Sequence, residues 1–68
     1  MNRIPWDEIE WRVAERLGGN PSYRLVRKLT GYVSVILGDM GETDTESERF
    51  RAVLRGVCNA AIVGKEEL

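Results

Sequence analysis

Gly31-Tyr32-Val33-Ser34-Val35-Ile36-Leu37-Gly38 is the stretch on which the fold turns. β-branched and aromatic residues between two glycines have strong strand propensity. A strand needs a partner, and no second strand-like run occurs in the 68 residues, so this one would have to pair across a dimer. Read with its upstream neighbours, the stretch fits another pattern. Leu25, Val26, Leu29, Val33, Ile36 and Leu37 recur at the three- and four-residue spacing of one helix face. The period predicts a helix capped by Asn20, with Pro21 in its first position, running over 21–37.

Breakers bound this helix on both sides: Gly18-Gly19-Asn20-Pro21 before it and Gly38-Asp39-Met40-Gly41-Glu42 after it. Upstream, Trp6, Ile9, Val13 and Leu17 make one apolar face. Pro5 suits a first helical position, and Asp7 and Glu8 complement the positive end of the helix dipole. A helix over 5–17 is expected. Downstream, Thr45 with Glu48, or Thr43 with Glu46, fits a capping box. Phe50, Val53, Leu54, Val57, Ala61 and Ile62 then repeat with helical period until Gly64, predicting a helix over 46–63 with Lys65 beside its last carbonyls and a frayed tail at 65–68. Short connections favour antiparallel neighbours. The expected fold is all-α: a small three-helix bundle forming a single domain over 1–68, dimerising through its second and third helices.

Size and composition narrow the function classes. A chain of about 60 residues buries only about 60% of its unfolded surface, and such domains usually need disulfides, a metal or oligomerisation. Cys58 is the single cysteine and there is no histidine, so neither an intrachain disulfide nor a zinc or iron–sulfur site is expected. Oligomerisation is the addition left. Ten basic and eleven acidic residues give a net charge of −1, with no long-range pull towards nucleic acid or an anionic membrane. No signal peptide is visible, and the longest uncharged run, 29–38, is about half a membrane span. A cytoplasmic location is the expectation, with which a free thiol agrees.

No catalytic constellation is present. Acid–base work lacks histidine, and neither a glycine-rich phosphate loop nor a nucleophile beside a base is found. No cofactor and no small-molecule substrate is expected. Asp39, Glu42, Asp44, Glu46 and Glu48 form an acidic stretch without the alternating ligands of a calcium loop, and it reads as a solvated loop with helix-capping carboxylates. Cys58, at the edge of an apolar face, reads as a small buried hydrophobe.

Small residues carry the functional reading. Ala52, Gly56, Ala60 and Gly64 recur every four residues beside the third helix's apolar stripe, with Val63 and Asn59 extending a weakly polar surface. Gly inside a helix costs about 1 kcal/mol relative to Ala, and small side chains let another helix come close. One explanation is clearance within the bundle, and the other is a contact with a partner. Gly31, Ser34 and Gly38, with Val35, add a second uncharged back on helix two, which tilts the reading towards an interface. Trp11, about 140° from its helix's apolar stripe, is a further candidate anchor.

The expected function is therefore a non-catalytic protein-binding module, self-associating as a homodimer. Its role would be that of an adaptor, a small subunit or an inhibitor of a larger protein, of the kind that phages and mobile elements encode. The alternative is helix-turn-helix DNA binding, with 25–31 as first helix and turn and 32–40 as recognition helix. That recognition segment holds no basic residue, Asn or Gln, and it includes Asp39, which suits base edges and phosphates poorly.

Overall fold

The computed structural model describes residues 5–67. Residues 1–4 and 68 lie outside the described residues, as do the side chains of 65–67. With them go part of the signal-peptide reading, the end of the expected tail and the expected role of Lys65.

The chain is a small all-α bundle of three helices, α1 (Trp6–Leu17), α2 (Tyr23–Met40) and α3 (Glu48–Glu67), each touching the other two. The stretch 31–38 is helical throughout, and no strand occurs among the described residues. Nine apolar side chains form the core: Ile9 and Val13 from α1, Val26, Leu29, Val33 and Leu37 from α2, and Phe50, Leu54 and Cys58 from α3. Thr30 is buried among them. Its hydroxyl donates to the Val26 carbonyl at 2.7 Å, which satisfies the one polar group that its burial would otherwise strand.

The helix ends differ from expectation, each for a local reason. Pro5 is the residue before α1 and not its first residue, and its carbonyl accepts the Ile9 N–H. α2 is capped by Ser22, not Asn20. Ser22 is extended, its hydroxyl accepts the Leu25 N–H at 3.1 Å, and the helix starts two residues later than the Pro21 signal suggests. At the other end, α2 runs through Gly38 to Met40. The left-handed residue that stops it is Gly41 (φ 69°), whose N–H bonds to the Gly38 carbonyl while that of Glu42 bonds to Leu37. This pair of hydrogen bonds is the Schellman arrangement.

α3 likewise starts at Glu48 and not at 46. Ser47 supplies the cap expected of Thr45 or Thr43, accepting the Phe50 N–H at 3.1 Å. Before it the acidic stretch works as loop structure: Asp44 accepts the Glu46 N–H and Glu42 accepts that of Asp44. Gly64 does not end α3, because it is absent from the glycines with positive φ and the helix continues to Glu67.

Candidate protein interface

Three residues of the expected apolar stripes are not core. Trp6 is 37% exposed, its indole N–H donating to Glu10 at 3.1 Å, and Ile36 and Ile62 are 39% and 41% exposed. Ile36 belongs to the most apolar surface feature. A groove between α2 and α3 is walled by Leu29, Tyr32, Val35 and Ile36 on one side and Val57 and Ala60 on the other. No charged side chain lines it. Tyr32 is 51% and Val35 65% exposed, both large for a residue whose neighbours are apolar. A second cavity lined by Asn20, Ser22, Leu25, Lys28, Leu29, Tyr32, Ala61 and Gly64 shares Leu29 and Tyr32 with the first, so the groove continues towards the start of α2.

The expected ridge on α3 falls partly here. Ala60 is a wall of the groove and Gly64 lines its continuation, while Gly56 and Val63 are exposed without lining either cavity. Ala52 sits instead among Glu48, Arg49, Arg51 and Arg55. A Cβ placed on Gly31, Gly38, Gly56 or Gly64 would meet nothing within 4 Å. Clearance between helices of one bundle therefore does not account for these glycines.

Gly31, Ser34 and Gly38 do not line the groove. For Ser34 the reason is the helical step of about 100° per residue: two residues from both Tyr32 and Ile36, it points about 160° away from each. Ser34 is half-buried, and its hydroxyl oxygen is enclosed with no hydrogen-bond partner. Trp11 is 62% exposed and lines a separate groove between α1 and α2, with Asp7, Glu10, Ala14, Pro21, Tyr23 and Val26. The candidate residues thus distribute over three faces. Of the walls Tyr32, Val35 and Ile36, the sequence reading includes only Val35 in the expected interface surface, because periodicity assigns Ile36 to the core and strand propensity accounts for Tyr32.

Charge is arranged for structure elsewhere. Arg12 donates to Glu8 at 2.9 Å and to Glu46 at 3.1 Å, and its guanidinium lies 5.7 Å from the Phe50 ring centroid. The hydrogen bond to Glu8, more than that to Glu46, raises its pKa above the ordinary arginine value although partial burial opposes this. Burial pushes the Cys58 thiol up, against a smaller opposing effect of the Arg16 charge. Among the described residues no group of three or more His, Cys, Asp or Glu side chains could hold a metal ion, and no helix is long and apolar enough to cross a membrane.

α2 is continuous from Tyr23 to Met40, so the turn that a helix-turn-helix reading needs within 25–31 does not exist. Comparison with protein-family models, with curated proteins and with solved structures gave no match.

Proposed function

We propose that this protein is a non-catalytic protein-interaction module that self-associates as a homodimer through the groove between α2 and α3. The observation that carries the reading is the groove wall of Tyr32, Val35, Ile36, Val57 and Ala60, which no charged side chain lines. Covering the parts of Val35 and Ile36 that the bundle leaves exposed would contribute on the order of 1 kcal/mol each, a useful addition to so small a core. The open space around Gly64, which lines the groove's continuation, supports the same reading, since that glycine lowers helix stability without relieving any contact inside the bundle. Such a dimer would serve as an adaptor, a small subunit or an inhibitor.

Light scattering on the wild type and on Ala60→Glu, a wall of the groove, tests this. A dimer mass for the first and a monomer mass for the second are expected. A monomer for both at high micromolar concentration would sink the proposal.

A further inference from the structure

We infer that the second copy docks antiparallel along α2, about a two-fold axis that sets Lys28 of each chain against Asp39 of the other. The inference rests on the self-association proposed above and adds its register. Lys28, Tyr32, Val35 and Asp39 follow one another at intervals of four, three and four residues, and all four are exposed. At about 100° per residue they fall within about 60° of one another, forming the seam by which helices pair. The seam has an apolar centre, Tyr32 and Val35, and ends of opposite charge about 16 Å apart at about 1.5 Å per residue. Neither Lys28 nor Asp39 takes part in any ion pair among the described residues.

This charge pattern chooses between the two ways of pairing α2 with its copy. In a parallel pair Lys28 meets Lys28 and Asp39 meets Asp39, two like-charge contacts. In an antiparallel pair centred between Val33 and Ser34, each Lys28 meets the other chain's Asp39 and each Tyr32 meets the other chain's Val35. All four contacts are then favourable, and the two-fold closes the assembly so that no open polymer results. On the α3 side the seam is bordered by Ala60, small enough for the incoming helix to lie close.

Charge reversal reads the register directly, by sedimentation velocity at low salt. Lys28→Glu and Asp39→Lys should each weaken the dimer about tenfold, the loss shrinking as salt screens the contact. Lys28→Glu/Asp39→Lys in one chain should recover wild-type affinity. An equimolar mixture of the two single variants should form a heterodimer, because both of its cross-pairs are again opposite in sign. That rescue also shows that the variants are folded. Unchanged single variants, or a double variant that stays weak, would overturn the antiparallel register. If Val35→Glu still abolishes the dimer in that case, self-association survives and only the register falls. A monomeric wild type would overturn both.

Discussion

Arg12 of α1 reaches across the bundle to Glu46, in the loop before α3, with a nitrogen–oxygen distance of 3.1 Å. The same guanidinium is held by Glu8 and stands over Phe50, a fully buried core residue, so one side chain ties the first helix to the approach of the third. Glu46 is 67% exposed, and its pairing alone is worth little in water. Glu46→Gln should cost about 0.5 kcal/mol or less. Arg12→Ala also removes the stem and the contact with the ring, and should cost about 1–2 kcal/mol. Urea denaturation of the two variants separates these effects, and equal losses would show that only the ion pair matters.

Gly64→Ala, in the continuation of the groove, should act in opposite directions on folding and assembly. With nothing within 4 Å of the added Cβ, the isolated bundle gains about 1 kcal/mol from helix propensity. A dimer that uses the close approach at this position should weaken. Unfolding at low protein concentration measures the first effect and the dissociation constant the second. A loss of stability in the monomer would mean that the glycine is packed after all.

How much of this was legible beforehand differs by feature. Helix in 31–38 was readable because a lone strand has no partner, while the period of Leu25, Leu29, Val33 and Leu37 continues through it. The ends were not. Ser22 and Ser47 each stand two residues from another plausible cap, Asn20 and Thr45, and a hydroxyl's geometry is invisible in a string of letters. Gly38 and Gly64 looked like stops, but a glycine stops a helix only when it turns left-handed, as Gly41 does. The groove was obscured because period cannot separate a residue at the centre of a face from Ile36 at its edge. The three-residue step from Leu29 to Tyr32 to Val35, with Ile36 beside it, was the signal that could have found it.

Ser34→Ala should stabilise the protein. The enclosed hydroxyl has no partner, and leaving such a group unsatisfied costs about 1–3 kcal/mol. A gain of about 1 kcal/mol in urea denaturation is expected, since the exchange also improves helix propensity. A loss instead would show that the hydroxyl has a hydrogen-bond partner inside the bundle.

Cys58 is fully buried and should react with an aromatic disulfide reagent only when the bundle opens. Its labelling rate should therefore fall with every stabilising substitution. Burial raises its folded-state pKa, so the thiol ionises more readily in the unfolded chain. The associated stability is intact below the unfolded value of about 8.5 and is lost as pH rises towards and through the folded one. Denaturation midpoints should fall from pH 8 to pH 10 in the wild type and fall less in Cys58→Ala. Equal slopes in the two proteins would contradict the assignment.

The measurement that tests self-association most directly is sedimentation equilibrium over a concentration series, comparing the wild type with Val35→Glu in the groove and with Glu15→Lys on the exposed side of α1. The wild type and Glu15→Lys should both approach twice the chain mass as concentration rises, while Val35→Glu should hold the single-chain mass throughout. A wild type that stays at the single-chain mass to high micromolar concentration, or a Val35→Glu variant that dimerises as well as the wild type, would contradict the assignment of this groove as the protein's interface.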